Sequence, residues 1–356
     1  MRFLPVNHSL NRSLYISSNS NIHLTSFHPV TSIQNLSVNI HCPSIANFHF
    51  YNVTNITIDS LSFYSCGLPD KHLFKTSAEG TLHFQNVTNF WVDYIKIQSW
   101  RTTDAIRVNN GFGRSIVSHS EFLDLNCSYP FIGLVSIYYQ DATKSQLKIS
   151  TSIFKGSALQ VILKNSVTSH IEISDNVITS SRQNPIAFVA YQSTTKVHIR
   201  NCLVSGSMHS ALYFEFAPNP SLQITIRDSV ISSNIVTDDY EGGAGMTVYK
   251  AEVEQDPIII IRNVSFISNE KYGKMHSAII VLCYANHVTF TDCKFHGNRG
   301  TYISAYQSTF YMNGSNSFIN NSATNGGAIA LLDNSYMYIQ NNTKILFLNN
   351  YARQCW

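Results

Sequence analysis

The chain has 356 residues, of which 44% are hydrophobic, so it is long enough to bury a sizeable core. Only 13% of the residues are charged, about half the usual share, and the net charge of +3 is spread thinly along the chain. No cluster of Lys and Arg indicates a nucleic-acid partner. No apolar run approaches the roughly 18–20 residues of a membrane span, so we expect no span within this chain.

The first 45 residues show the repeat described below least clearly. They are rich in Asn, Ser and His, and we predict an irregular N-terminal cap or early coils for residues 1–45. The apolar start, Met1–Val6, is shorter than the roughly 7–15 residues of a signal-peptide core. We therefore expect the export signal to lie outside this chain.

Residues 46–126 contain weak repeats, such as Asn52-Val-Thr-Asn-Ile-Thr-Ile58 and Asn86-Val-Thr-Asn-Phe-Trp-Val92. From residue 127 the repeat is clear and has two alternating halves. The first half reads apolar-x-apolar-x-Asx-x-x-apolar-x-x-Asn/Ser and occurs at Ile171–Ser181, Val197–Ser207, Ile224–Asn234, Ile259–Asn269 and Val288–Asn298. The second half is a small residue followed by a short strand, as at Ser157–Val161, Ser210–Phe214, Ser277–Val281 and Gly327–Leu331.

Each repeat can be marked by its Asx-like position. The marks fall near Ser60, Tyr94, Ser120, Thr151, Asp175, Asn201, Asp228, Asn263, Asp292, Gly314 and Asn341. They are about 22–35 residues apart, a period typical of solenoids, and the variable spacing does not suit a leucine-rich repeat or a propeller. The strands alternate with period 2, and hairpin turns such as Asn-Gly are mostly missing. Like strands are therefore expected to stack on like strands, which predicts an all-β parallel β-helix.

The prediction gives a solenoid of about 10–11 coils over residues 46–356. The chain ends at Arg353-Gln-Cys-Trp356, shortly after an Asn349-Asn350 turn, where another coil is expected to begin, so we predict truncation at the C-terminal end. Identical repeat positions should stack, which predicts one inward column made of Ile173, Ile199, Ile226, Ile261 and Phe290.

Two short motifs coincide in the clear repeats. Phe-x-x-Asn occurs at Phe266/Asn269, Phe295/Asn298, Phe318/Asn321 and Phe347/Asn350, and Gly-Gly-Ala occurs at Gly242–Ala244 and Gly326–Ala328. This alternation resembles the repeats of polymorphic outer-membrane proteins. More broadly, the chain is similar to the right-handed, single-stranded parallel β-helix domains of the pectate-lyase-like superfamily. The resemblance implies surface display with adhesion or recognition, and the motifs are specific for the fold and not for an activity.

The cysteines and the Asn-Xaa-Ser/Thr sequons favour an extracellular or cell-surface location. Cys42 and Cys66 are the most plausible disulfide, and Cys283 with Cys293 is a weaker candidate. The glycosylation candidates are Asn35, Asn52, Asn55, Asn86, Asn126, Asn313, Asn320 and Asn341. Asn263 is also in a sequon, but it shares the Asx position, and we expect that column to be inward or tightly packed and closed to glycans.

An enzyme of this fold class needs two or three carboxylates that face outward on adjacent coils, or a Ca²⁺ site with an Arg base. The best constellation in the sequence is Glu215, Asp238, Asp239 and Glu241, with His209 and Lys250 nearby. The sequence favours the simpler interpretation of these residues, a solvated acidic loop beside one exposed Glu. The scattered histidines form no metal-binding motif, and we predict neither a metal nor a cofactor.

The sequence thus favours a non-enzymatic extracellular or cell-surface protein for adhesion or recognition, with other surface proteins or glycans as partners. The alternative is a polysaccharide lyase or glycoside hydrolase that uses Glu215, Asp238 and Asp239.

Overall fold

The protein is seen in a computed structural model. It describes residues 2–3, 7–9, 14–17, 20–26, 38–42, 48–64, 81–98, 105–123, 135–140, 143–181, 184–217, 221–237, 242–250, 257–272, 278–325 and 328–354. These residues form two compact units, 1–178 and 179–356. Their regular elements are β-strands, and no helix in the described ranges is long and apolar enough to cross a membrane.

Each complete coil runs through three strands, and we call the surfaces that these strands form face 1, face 2 and face 3. Face 1 contains Leu14–Ser17, Phe48–Tyr51, Val135–Gln140, Leu159–Lys164, Ile186–Tyr191, Leu212–Phe216, Met246–Lys250, Ala278–Cys283, Thr301–Tyr306 and Ile329–Leu332. Face 2 contains Arg2–Phe3, Ser20–Ser26, Thr54–Asp59, Thr143–Ser150, Val167–Ser174, Thr194–Arg200, Ser221–Arg227, Ile258–Arg262, Val288–Thr291, Thr309–Asn313 and Tyr336–Ile339. Two long strands, Leu82–Asp93 and Ile106–Ser118, contribute to both faces.

Face 3 is made of shorter strands. They are Asn7–Ser9, Asn39–His41, Ser62–Tyr64, Lys96–Gln98, Glu121–Leu123, Ile153–Lys155, Val177–Thr179, Leu203–Ser205, Val230–Ser232, Ser265–Ile267, Lys294–His296, Ser315–Ile319 and Lys344–Leu348. Two further parallel pairs join Ile235–Val236 to Glu270–Lys271 and Ser322–Asn325 to Tyr351–Gln354. Within each unit, like strands pair in parallel from coil to coil, so the predicted parallel β-helix is confirmed.

One residue in the left-handed region turns the chain from face 2 to face 3. These corner residues are Ser60, Tyr94, His119, Thr151, Asp175, Asn201, Asp228, Asn263, Asp292 and Gly314. Asn and Asp tolerate positive φ better than most residues, which explains their frequency here. The marks predicted from the sequence therefore coincide with corners, except that Ser120 lies one residue beyond His119, and Asn341 lies next to Asn342.

The expectation that the Asx column points inward is wrong. The ladder contact exists, because the Asn263 amide donates a 2.8 Å hydrogen bond to the Asp228 carboxylate. Both side chains are nevertheless exposed, since the left-handed corner turns them outward, and the next residue, Val264, enters the core instead. Burial therefore gives no reason to exclude a glycan at Asn263.

The predicted inward column is confirmed. In unit 179–356, Ile199 pairs with Ile226, Ile226 with Ile261, and Ile261 with Phe290. In unit 1–178, Ile173 pairs with Ile149. All of these side chains are at most 1% exposed, as expected when a repeat stacks like residues in one core.

The Phe-x-x-Asn motif builds two ladders in unit 179–356, which are buried except at their last members, the exposed Phe347 and the half-buried Asn350. The rings of Phe266, Phe295, Phe318 and Phe347 stack in sequence, with centroids 5.5, 4.5 and 5.0 Å apart. The asparagines at the ends of the motifs bond to one another from coil to coil, and the ladder comprises Asn234, Asn269, Asn298, Asn321 and Asn350. The sequence marks the motif but does not reveal this asparagine ladder.

Candidate functional site

Two aspartates lie side by side on the outer surface of face 2 in unit 1–178. Asp59 ends the strand Thr54–Asp59, Asp93 ends the strand Leu82–Asp93, and the two residues are register partners. Adjacent strands are about 4.8 Å apart, so the backbone places both carboxylates close together. Their side chains are 18% and 24% exposed, which keeps them accessible. We call this arrangement the Asp59–Asp93 site.

The carboxylate of Asp59 is held by the preceding coil. Its Oδ1 accepts a 2.5 Å hydrogen bond from the Thr25 hydroxyl, and its Oδ2 lies 2.5 Å from His23 Nε2. Thr25 is the register partner of Asp59 and is buried, whereas the His23 side chain is 56% exposed. The buried hydroxyl therefore fixes the carboxylate, and the exposed imidazole is in contact with solvent.

The carboxylate of Asp93 is held by the following coil. Its Oδ1 accepts a 3.0 Å hydrogen bond from the Ser118 hydroxyl and lies 2.9 Å from His119 Nδ1. The backbone N–H of Tyr94 donates to the same oxygen. The ring of Tyr94 stacks on His119 at 4.7 Å, which orients the imidazole. Each aspartate thus has a hydroxyl and a histidine as partners.

An exposed tryptophan lies beside the carboxylates. Trp91 is two residues before Asp93 on the same strand, so both side chains point outward. Its indole is 46% exposed, and the Arg114 guanidinium lies 5.8 Å from the ring centroid. An indole has a flat apolar face and one polar N–H, which suits it for binding amphipathic partners.

Asparagine ladders border this surface where face 1 turns into face 2. In one ladder Asn89 donates to Asn55, and Asn55 donates to Asn21, each at 2.9 Å. Beside it, Asn110 donates to Asn86 and Asn86 donates to Asn52, at 3.2 and 3.1 Å. These asparagines have positive φ, and the backbone N–H of Arg114 donates to Asn89 Oδ1 at 2.7 Å. Side-chain amides that both donate and accept are thereby fixed at regular intervals.

The chemistry of this surface is polar, aromatic and acidic. Carboxylates accept hydrogen bonds, side-chain amides donate and accept them, and the indole offers an apolar platform. In the described ranges, no three His, Cys, Asp or Glu residues are arranged to hold a metal ion. The arrangement therefore suits a ligand rich in hydroxyl groups.

Only part of the predicted acidic constellation can be placed. Asp238, Asp239 and Glu241 lie outside the described residues. Glu215 points outward from face 1, as expected, and its carboxylate accepts a 2.9 Å hydrogen bond from the Tyr213 hydroxyl. The pKa of Tyr191 is raised by partial burial and by the Glu215 carboxylate. A catalytic role for these four acids stays a prediction.

Lys250 does not join Glu215 on the outer surface. It pairs with the inward residue Phe216 and is only 3% exposed, whereas Glu215 pairs with Tyr249, which is 42% exposed. The alternation of side chains along the strand separates the Lys from the acid.

The predicted disulfide and glycosylation sites have mixed placements. Cys42 is buried and disulfide-bonded, while Cys66 lies outside the described residues, so the pairing stays a prediction. Cys283 and Cys293 are not in disulfides, and the weaker pairing is wrong.

Among the glycosylation candidates, Asn35 and Asn126 lie outside the described residues, Asn86 and Asn313 are half-buried, and the exposed ones are Asn52, Asn55, Asn320 and Asn341. Glycosylation of these residues stays a prediction.

The Asp59–Asp93 site is absent from the sequence-based candidates, although the sequence contains a signal for it. The segments Asn52–Ile58 and Asn86–Val92 are corresponding weak repeats. Each is followed directly by an aspartate, and each aspartate directly precedes a coil mark, Ser60 or Tyr94. Aligning the repeats by their marks would have placed the two carboxylates on adjacent coils.

No protein-family model and no curated protein matches this chain. Among solved structures, it is similar to the Agl-KA catalytic domain with 16% identity and a TM-score of 0.48, over 97% of this chain and 62% of that one. It is also similar to the Streptococcus pneumoniae surface protein and adhesin PfbA, with 10% identity and a TM-score of 0.38, over 98% of this chain and 91% of that one. For the PL6 family alginate lyase AlyGC, the identity is 9%, the TM-score is 0.21, and the coverage is 98% and 77%. These low similarities concern the fold alone, and this chain spans 62% of the Agl-KA chain.

Proposed function

We propose that this chain is an extracellular or cell-surface recognition protein that binds carbohydrate at the Asp59–Asp93 site. The observation that carries the proposal is the exposed indole of Trp91 beside two in-register carboxylates. A sugar ring presents an apolar face and hydroxyl groups together, and this surface offers a partner for each.

Two observations support an extracellular location. Cys42 is disulfide-bonded, and structural disulfides persist mainly in oxidising compartments. Sequons at Asn320 and Asn341 have exposed side chains, as an N-glycan requires. Both are features of secreted domains.

The regular spacing of outward-facing residues from coil to coil supports recognition of an extended ligand. Thr57 pairs with Trp91 and Asp59 with Asp93, so two rows of outward residues run from coil to coil. The rows repeat at about the 4.8 Å strand spacing, while positions along a strand alternate every two residues. A chain-like glycan that follows the coils meets His23, Thr57 and Trp91 along one row and Thr25, Asp59, Asp93 and Ser118 along the other.

A glycan array and titration calorimetry with the purified protein test this proposal. We expect Trp91→Ala to weaken binding at least tenfold, because buried aromatic anchors dominate binding energy at interfaces. Tyr338→Ala is the matched control, since Tyr338 is 52% exposed on face 2 of the other unit. Equal losses in both variants, or no loss in either, would contradict the proposal.

A second candidate function is glycoside hydrolysis by the same carboxylates. It is favoured by the register pairing of Asp59 and Asp93, because retaining glycosidases place two carboxyl groups about 5–5.5 Å apart. The two functions separate in one experiment. A recognition protein retains its ligand intact, whereas a hydrolase releases new reducing ends that disappear in Asp59→Asn or Asp93→Asn.

A further inference from the structure

One carboxylate on face 1 of unit 179–356 lies among tyrosines. The Glu215 carboxylate accepts a 2.9 Å hydrogen bond from the hydroxyl of Tyr213, which is two residues earlier on the same strand. In the following coil its register partner is Tyr249, about 4.8 Å away at the backbone. In the preceding coil Tyr191 lies two residues after Val189, the other register partner of Glu215. We call Tyr191, Tyr213, Glu215 and Tyr249 the Glu215 cluster.

The side chains of the Glu215 cluster are close together and in contact with solvent. Partial burial and, after it, the charge of Glu215 raise the pKa of Tyr191, so this phenol lies near the carboxylate. Tyr249 is 42% exposed, and the other three residues are half-buried. A ligand can therefore contact phenol rings and a carboxylate at the same place.

The Glu215 carboxylate has no cationic partner among the described residues. None of the ion pairs between those residues involves Glu215. In the described strands of face 1 in this unit, the only other charged residue is Lys250, which is buried and pairs with the inward residue Phe216. A cation that approaches this surface therefore meets a carboxylate whose charge no neighbouring cation of these strands offsets.

The same unit contains a carboxylate–tyrosine pair that already holds a cation. Tyr272 donates a hydrogen bond to the Glu270 carboxylate, and the Arg299 guanidinium lies 5.0 Å from the Tyr272 ring centroid. The negative face of an aromatic ring attracts a cation, and the adjacent carboxylate adds to this attraction. The carboxylate and the tyrosine are two residues apart in the chain, as in the Glu215 cluster. The Glu215 cluster therefore has the groups of an occupied cation site, with two further tyrosines.

The surroundings of the Glu215 cluster select the kind of cation. Two neighbouring outward residues, Val189 and Val281, are apolar and nearly buried. The Thr247 hydroxyl accepts a hydrogen bond from the Gly243 N–H and is bonded to Ser210, so it is used within the protein. A primary ammonium has three N–H donors, and this surface offers few acceptors for them beyond the carboxylate. A quaternary ammonium has no N–H, and its methyl groups suit apolar and aromatic neighbours.

We propose that the Glu215 cluster binds a quaternary ammonium group, with its charge on the Glu215 carboxylate and its methyl groups against Tyr191, Tyr213 and Tyr249. The site goes beyond the carbohydrate recognition proposed above, because it uses other residues, in the other unit, for a ligand of different chemistry. The group can belong to a free molecule such as choline or to the headgroup of phosphatidylcholine.

Ligand-observed nuclear magnetic resonance titration with choline tests this proposal. The matched probe is 3,3-dimethylbutan-1-ol, which has the same shape without the charge, and we expect only choline to bind. Glu215→Gln and Tyr249→Ala should each weaken choline binding about 5- to 30-fold, because each removes a direct attraction for the cation. Glu270→Gln is the control, since that carboxylate also accepts a hydrogen bond from a tyrosine hydroxyl but lies beside Arg299. Thermal unfolding of the variants verifies that they are folded.

Each outcome bears on the proposal. Choline binding that falls in Glu215→Gln and Tyr249→Ala but not in Glu270→Gln supports it. Co-sedimentation with phosphatidylcholine vesicles that choline competes away assigns the lipid headgroup, and choline binding without vesicle binding assigns a soluble ligand. No binding of choline, equal binding of choline and the neutral alcohol, or tighter binding of ethanolamine would overturn it. Trp91→Ala should leave choline binding unchanged, which separates this site from a failure of the carbohydrate site in unit 1–178.

Discussion

The side-chain amide of Asn298 donates a 3.0 Å hydrogen bond to Oδ1 of Asn321 in the next coil. The same amide donates to the Phe266 carbonyl in the preceding coil, and Oδ1 of Asn298 accepts from the backbone N–H and the side chain of Asn269. Every rung of this ladder thus uses both ends of an asparagine amide. Buried polar groups are tolerated when they are satisfied in this way.

We predict that Asn298→Asp destabilises the protein by about 3–5 kcal/mol, because it removes two donated bonds and introduces an unpaired buried charge. Asn298→Ala should cost about 1–3 kcal/mol, since the Asn269 donors and the Phe266 carbonyl lose their partner. Urea unfolding followed by circular dichroism measures both changes.

Asn334→Asp is the control for this substitution, because Asn334 is exposed and has positive φ, which Asp tolerates. It should change stability by less than about 0.5 kcal/mol. If Asn298→Asp were as mild as Asn334→Asp, the ladder would not be a source of stability.

The inward column gives a second prediction. Ile226 is 1% exposed between Ile199 and Ile261, so Ile226→Ala should lower the free energy of unfolding by about 2–5 kcal/mol through lost burial and a cavity. Val230 is 37% exposed on face 3, and Val230→Ala is the control with a small expected effect. Thermal unfolding of Ile226→Ala, Val230→Ala and the wild type measures both changes in stability.

The fold was predictable because a period-2 pattern and a repeated Asx corner constrain the backbone directly. Ile226 and Phe290 were assigned to the core from repeat position alone, and the structure places them there. The direction of Asn263 was not predictable from the same repeat. The pattern locates the corner, but the left-handed φ decides that this side chain faces solvent.

The candidate site was less predictable for a different physical reason. Asp59 and Asp93 are 34 residues apart in the chain, and the register that brings them together arises in coils whose sequence pattern is weak. The same distance in sequence separates Asn55 from Asn89, whose hydrogen bond confirms the common register. Glu215 lies near other acids in sequence, but such proximity does not place side chains on one surface.

Cysteine reactivity gives a third prediction. Burial raises the pKa of the Cys293 thiol to about 12, against an opposing effect of its hydrogen bonds with the backbone of Val264 and Thr291. Because the thiolate is the reactive form, Cys293 should resist iodoacetamide in the folded protein at pH 8, whereas the half-buried Cys283 should react earlier. Peptide mass spectrometry after timed labelling measures the order. Labelling in urea is the reference, in which both cysteines should react at equal rates. Equal labelling rates of Cys283 and Cys293 in the native protein would contradict the burial of Cys293.

The final prediction concerns catalysis. We expect no turnover of pectin, polygalacturonate or alginate, with or without Ca²⁺. Both oxygens of Asp59 already have partners, in Thr25 and His23, and three contacts converge on Oδ1 of Asp93. A glycosidase needs one carboxyl group that delivers a proton and another that attacks or activates water, whereas these carboxylates accept hydrogen bonds from the Thr25 and Ser118 hydroxyls, which is the role that binding of sugar hydroxyls requires.

Release of reducing ends and of unsaturated products, followed over hours at several pH values, measures this activity. Turnover that disappears in Glu215→Gln would support an enzyme that uses the acids first identified in the sequence. Turnover that disappears in Asp59→Asn or Asp93→Asn would instead assign hydrolysis to the Asp59–Asp93 site. Glu121→Gln is the control, because Glu121 forms a partly exposed ion pair with Lys96 at 3.5 Å on face 3 and should not affect either reaction. Activity that survives Glu215→Gln, Asp59→Asn, Asp93→Asn and Glu121→Gln would come from other residues. The glycan affinity of the Asp59–Asp93 site would then be the test of its recognition function.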